Sequence, residues 1–138
     1  RSFLFAADIE RDGLSALRAR TKLRIISVMK VPHHGARSSL DPQWVDVTRP
    51  EVAVFSVGAF NPYRHPARDV VAAYRHAHGR IFRTDQDGAV WVDLDVSTSH
   101  LTVHQTGEWT LQPVSVSPPG VAVELENVRR MWRRWNWQ

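Results

Sequence analysis

Apolar residues in this chain fall into short runs separated by stretches of helical spacing, an alternation that predicts strands and helices in turn. Residues 3–7 read as a short buried strand. Residues 10–20 follow as an amphipathic helix, with Leu14 and Leu17 on one side and Arg11, Arg18 and Arg20 mostly on the other. Residues 23–31 are rich in Ile, Val and Leu and stop at Pro32, so a second strand is predicted there, with His33 and His34 just past its end. Asp41-Pro42 reads as an N-cap followed by proline at the first helical position, opening a helix to about Val47. A buried strand is predicted over 51–57, a loop over 58–66, and a helix over 67–78 with Val70, Val71 and Tyr74 on one face and Gly79 as its C-cap. Residues 80–83 and 89–94 read as strands joined in a hairpin by Asp85-Gln86-Asp87-Gly88, and 100–104 and 108–112 as two more strands. The sum is a βαβαβαβ alternation followed by an antiparallel run, an α/β pattern whose ligands are expected at the C-terminal ends of the parallel strands.

Composition narrows the chemistry. The 138 residues contain no cysteine, which leaves out disulfides, thiolate metal sites and thiol nucleophiles, so any metal has to be held by His, Asp or Glu. The longest mostly apolar run, 52–60, is far shorter than the ~20 residues a membrane-spanning helix needs. A soluble segment is expected, and its abrupt opening on Arg1-Ser2-Phe3-Leu4-Phe5 reads as a piece of a longer protein. A formal charge of +4 favours polyanionic partners such as DNA or anionic lipid.

Asp8, His33 and His34 have the residue types of a cysteine-free zinc or manganese site, and one βαβ crossover brings their two strand-end loops side by side. Spacing alone leaves a second reading open: Asp8 as a helix cap, His33 as a hydrogen-bonded loop residue and His34 facing solvent. His65 precedes Pro66 in the 58–66 loop, where it either contacts a phosphate or protonates a leaving oxygen, or else fixes the turn.

Four strings carry a more specific signal. Ser2-Phe3-Leu4-Phe5-Ala6-Ala7-Asp8-Ile9-Glu10, Met29-Lys30-Val31-Pro32-His33-His34-Gly35, Asn61-Pro62-Tyr63-Arg64-His65-Pro66 and Arg83-Thr84-Asp85-Gln86-Asp87-Gly88 stand in an order that resembles the second half of the metallo-β-lactamase domain of the bacterial ComEC DNA-uptake family. The family pattern has Gly where Ala7 stands, Ser where Ala36 stands and usually Gly where Arg64 stands. The resemblance implies the C-terminal half of a metallo-β-lactamase-like αββα sandwich over residues 1–114, with βαβαβα units followed by antiparallel strands. Residues 115–138 then form a Pro/Ser linker and an Arg/Trp-rich tail.

The same resemblance implies site roles. Asp8 would bridge two metal ions, and one of His33 and His34 would bind the second; His33 is favoured because it directly follows the strand end. The superfamily's His-x-His-x-Asp-His string, which supplies most ligands, does not occur here. His76-Ala77-His78 imitates its start but reads as a helix end. The remaining ligands are therefore expected upstream of Arg1.

What the family implies is metal-dependent phosphodiester hydrolysis on DNA during transformation, with zinc or manganese, dinuclear in the intact domain, and no small-molecule cofactor. The partners implied are DNA and the rest of the same inner-membrane protein, with this soluble domain on the extracytoplasmic side. Two alternatives stay open: a non-catalytic DNA-binding or channel-gating module of the same fold, and a small-substrate metallo-hydrolase. The tail residues Arg129, Arg130, Trp132, Arg133, Arg134 and Trp135 are candidates for stacking on bases and pairing with phosphates, or for resting at a membrane surface, or simply for covering the domain's flank. His100 and His104 read as exposed strand histidines.

Overall fold

A computed structural model of the chain describes residues 1–107. Four short strands, β1 (Phe3–Phe5), β2 (Val28–Lys30), β3 (Val52–Phe55) and β4 (Arg80–Arg83), form a parallel sheet in the order β1-β2-β3-β4. A separate antiparallel pair consists of β5 (Val90–Asp95) and β6 (His100–Gln105). Helices α1 (Arg11–Arg20), α2 (Pro42–Thr48) and α3 (Arg68–His76) make the connections between the parallel strands. The mixed α/β class expected from the pattern is the class found.

When parallel strands are added in chain order, crossovers of one hand put all their helices on one face of the sheet. The core agrees with that placement. Leu4, Met29, Ala53 and Ile81 share one register row, and they pack with Leu14 of α1, Trp44 and Val45 of α2, and Val70, Val71 and Tyr74 of α3. The neighbouring row, Phe5, Lys30, Val54 and Phe82, points to the opposite face. Phe5 is left 75% exposed there.

Local chemistry explains most element ends. Asp41 caps α2 by accepting the Trp44 backbone N–H at 3.1 Å, and its carboxylate also pairs with Arg18 of α1 at 3.3 Å, so one buried side chain joins two helices. Thr84 Oγ1 both donates to the Val57 carbonyl and accepts its backbone N–H, each at 2.7 Å, which fastens the end of β4 to the end of β3.

Four expectations need correction. The stretch 23–27 is not strand, because the backbone of Ile26 bonds to Thr48 and Glu51 outside the ladder. Residues 80–83 and 89–94 do not form a hairpin: β4 pairs in parallel with β3, Thr84–Asp87 is a single helical turn, and β5 takes β6 as its partner. At the end of α3 the left-handed residue is His78, with φ 63°. Gly79 is needed for space, since a Cβ there would lie 2.7 Å from the Pro50 carbonyl oxygen. Lastly, His104 is not a free strand histidine; its ring stacks on Trp91 at 5.2 Å and its Nε2 meets Asp93 at 2.9 Å. The strand expected at 108–112, the linker and the tail from Arg129 to Trp135 lie outside the described residues.

The β5–β6 turn supplies a pH-dependent test. Asp95 accepts from the Ser97 hydroxyl at 2.6 Å and from the Ser97 and Thr98 backbone N–H groups at 2.9 and 3.3 Å. These bonds favour the ionised form and hold its pKa down from 3.8 to about 2. A depressed carboxyl contributes stability above its unfolded pKa and loses that contribution as pH falls through the folded value. Carboxyl NMR of Asp95 is expected to titrate near that lowered value, and Asp95→Asn should keep the turn while removing this pH dependence.

Candidate functional site

The segment after β2 adopts a backbone that L-residues rarely take. His33 (φ 46°, ψ 46°) and His34 (φ 54°, ψ 16°) are both left-handed, and Gly35 follows at φ 80°. For a residue with a Cβ this conformation costs roughly 1–2 kcal/mol, and such strain concentrates where side chains are held for function. Gly35 anchors the turn by packing. A Cβ on it would sit 2.7 Å from both the Phe55 ring and Pro66, and its carbonyl accepts the Ala67 N–H at 2.9 Å. The His33 N–H donates to the Ala7 carbonyl at 2.9 Å. The strand-end loops of β1 and β2 and the 58–66 loop after β3 therefore meet at one rim of the sheet.

Asp8 and His34 converge there, with Asp8 Oδ1 at 3.4 Å from His34 Nε2. The other ring nitrogen of His34 donates to the Ser56 carbonyl at 2.6 Å. That bond fixes the ring so that Nε2 is the nitrogen facing Asp8. The Lys30 ammonium stands 3.7 Å from the same carboxylate oxygen. The helix-cap alternative for Asp8 does not describe this geometry: the N-cap position of α1 is Glu10, and no side chain caps that helix.

Glu10 is engaged elsewhere. Its Oε1 lies 3.3 Å from His33 Nδ1 and accepts the Ser38 hydroxyl at 2.9 Å. A carboxylate on Nδ1 orients an imidazole and leaves its Nε2 available, as the Ser56 carbonyl does for His34. His33 thus goes to Glu10 and His34 to Asp8. Glu10, Lys30 and Ser38 were not singled out from the sequence, although Glu10 and Lys30 stand inside the strings quoted above.

His65 completes the row. Its ring lies edge-on to His33 at 6.0 Å and stacked beside Tyr63 at 5.8 Å. Burial, and then the charges of His33 and His34, push its pKa below the usual imidazole value, which favours the neutral ring. Asn61 braces its backbone, accepting the His65 N–H at 2.9 Å and donating to the His65 carbonyl at 2.8 Å. Arg83, Thr84 and Asp85 make structural contacts next to this rim, among them the Arg83–Asp85 ion pair. His76 and His78 lie exposed at the end of α3.

Two of the three departures noted in the sequence have a backbone meaning. Ala7 and Arg64, which stand where the resembled pattern carries Gly, are left-handed at φ 48° and 57°. Ala36, at φ −61°, carries no such strain.

For a divalent cation, the carboxylate of Asp8 and the imidazole of His34 are suitable donors, adjacent to each other and each accessible from the rim. Among the described residues, no group of three or more His, Asp or Glu side chains is placed to hold a metal ion.

Comparison with known proteins adds the relatives. Over 89 residues the chain is 29% identical to "ComE operon protein 3" of Bacillus subtilis, covering 64% of this chain and 12% of that protein. It is 33% identical over 95 residues to "Competence protein ComA" of Neisseria gonorrhoeae, covering 67% of this chain and 14% of that protein. It is 32% identical over 93 residues to "Recombination protein 2" of Haemophilus influenzae, covering 67% of this chain and 12% of that protein. The match thus spans only a small part of each relative's length. No family model matches the chain. No solved structure matches it either.

Backbone strain predicts stability changes of opposite sign. Ala7→Gly relieves a left-handed Cβ and should raise stability by up to about 1 kcal/mol, after the entropy that glycine adds to the unfolded chain is subtracted. Gly35→Ala adds left-handed strain and two close contacts and should lower stability by about 2 kcal/mol or more. Urea denaturation of each variant measures both effects.

Proposed function

We infer that this chain, whose relatives are competence and recombination proteins at modest identity over part of its length, serves in DNA uptake as part of a metal-dependent phosphodiesterase. The observation that carries the catalytic reading is the Asp8–His34 contact at 3.4 Å, with His34 tethered through its far nitrogen, on a turn whose backbone is strained at both histidines. Backbone strain of this kind concentrates at sites that hold a ligand.

In this reading Asp8 and His34 are the chain's own ligands for a zinc or manganese ion, and further ligands come from elsewhere in the intact protein. Such an ion supplies positive charge that acidifies water and offsets charge on phosphate oxygens. Lys30 pairs with Asp8 and helps hold it in place. When protonated, His33 can donate through Nδ1 to Glu10 and through Nε2 to a phosphate oxygen. His65, favoured neutral, is better suited to hydrogen-bond and orient the phosphodiester than to act as the main proton reservoir.

The fold expected around this rim, half of a metallo-β-lactamase-like αββα sandwich, accommodates the parallel sheet with its helices on one face and the separate β5–β6 pair. The parent is proposed to be a polytopic inner-membrane DNA channel, with this part on the extracytoplasmic side. Among the described residues no helix is long and apolar enough to cross a membrane.

Cleavage of a labelled oligonucleotide by the full-length protein, with manganese or zinc, tests the reading. Asp8→Ala and His34→Ala are each expected to lower kcat/KM by about 100-fold or more, and Glu10→Gln, which weakens the hold on His33, by roughly 10-fold. Undiminished cleavage by Asp8→Ala would dismiss the site. DNA binding without cleavage under any metal would favour a non-catalytic module of the same fold.

A further inference from the structure

The loop after β3 carries two aromatic side chains with no role in holding the fold. Phe60 is 104% exposed and Tyr63 77% exposed, three positions apart and both within a stretch that reaches the rim at His65. Exposed aromatics at chain ends are unremarkable, but this loop is braced rather than loose. Asn61 donates to the Gly58 carbonyl at 3.0 Å as well as to His65, and the Arg64 N–H donates to Asn61 at 3.3 Å. Phe60 and Arg64 are both left-handed, at φ 58° and 57°, so the backbone bears strain in displaying them. Among the described residues the exposed guanidinium of Arg64 makes no ion pair or side-chain hydrogen bond.

We propose that the 58–66 loop is a base-stacking subsite for single-stranded DNA, in which Tyr63 and Phe60 take unpaired bases next to the phosphodiester held at the histidine rim and Arg64 takes a flanking phosphate. The inference rests on the phosphodiesterase reading and adds the substrate form. Tyr63 connects the two, because one face of its ring lies along His65 and the rest stands in solvent. A base within a duplex is covered above and below by its neighbours, so a protein ring reaches its face only when the base is unpaired or terminal. Stacking of this kind tolerates any base, which suits a protein that handles DNA regardless of sequence, and a chain of net charge +4 supplies the accompanying attraction for phosphate.

Fluorescence anisotropy on the full 138-residue chain tests this, with the tail present in every sample. The probes are a labelled strand of about a dozen deoxynucleotides, the same length of abasic strand and the same length of duplex, within the site sizes typical of single-strand binders. The wild-type chain is expected to bind the normal strand about tenfold or more tighter than the abasic one, the Phe60→Ala/Tyr63→Ala double variant to lose that difference, and Tyr63→Trp to retain it. Arg64→Gly should keep the base preference while reducing the salt dependence of binding by about one phosphate contact. Both aromatics are exposed, so the melting temperature of the double variant should match wild type.

A double variant that keeps the full base preference overturns the subsite, as does wild-type binding to abasic and normal strands alike; both outcomes leave DNA as the substrate. Failure of the wild-type chain to bind any of the three polynucleotides removes the parent reading as well. Binding to phosphatidylglycerol-containing vesicles that Phe60→Ala abolishes, without any strand binding, would make the loop a membrane contact instead.

Discussion

The rim depends on a glycine that has no room for a side chain. Gly35 is wedged between the Phe55 ring and Pro66 while its backbone is left-handed, and this close approach draws the turn after β2 onto the loop after β3. With Gly35 docked, His33 and His34 must climb out of β2 through the same left-handed region, which sends their rings in different directions. One imidazole arrives at Asp8, the other at Glu10. The geometry of the whole row, from Asp8 to Tyr63, follows from how closely two backbones approach at one residue.

Electrostatics then sorts the imidazoles by environment. His34 gives one nitrogen to a backbone carbonyl, whose partial charge is fixed, whereas His33 gives one to a carboxylate, whose full charge also recruits Ser38. His65 has neither; burial and two imidazole neighbours work against a charge on its ring. Three histidines of identical intrinsic chemistry thereby have three different sets of partners within one rim.

Much of this was readable in the sequence, for identifiable reasons. The βαβ alternation places residues following β1 and β2 at the same sheet edge, so the meeting of Asp8 with the histidine pair needed only the topology. Asp41-Pro42 announced its cap because the capping chemistry is local. The choice between His33 and His34 was not legible. Proximity to the strand end favoured His33, but two successive positive φ values decide which ring faces Asp8, and such a pair is too uncommon to be read from residue preferences. The supposed β4–β5 hairpin failed for the related reason that turn-forming residues at 85–88 also suit a single helical turn, and only long-range pairing decides between them. Glu10 and Lys30 were passed over because charged residues near strand ends usually face solvent; what makes them matter is a histidine or carboxylate from a distant part of the chain.

The strand order carries a consequence for how the molecule is assembled. Phe3 meets Val28, Val28 meets Val52 and Val52 meets Arg80, so every pairing closes a loop of about two dozen residues and none waits for a remote segment. A chain emerging from the ribosome can therefore add its strands in the order of synthesis. Asp8 and the histidine turn follow the first two strands, and Phe55, Ser56 and Pro66, which hold that turn, all precede β4, so this neighbourhood can form before β4 exists.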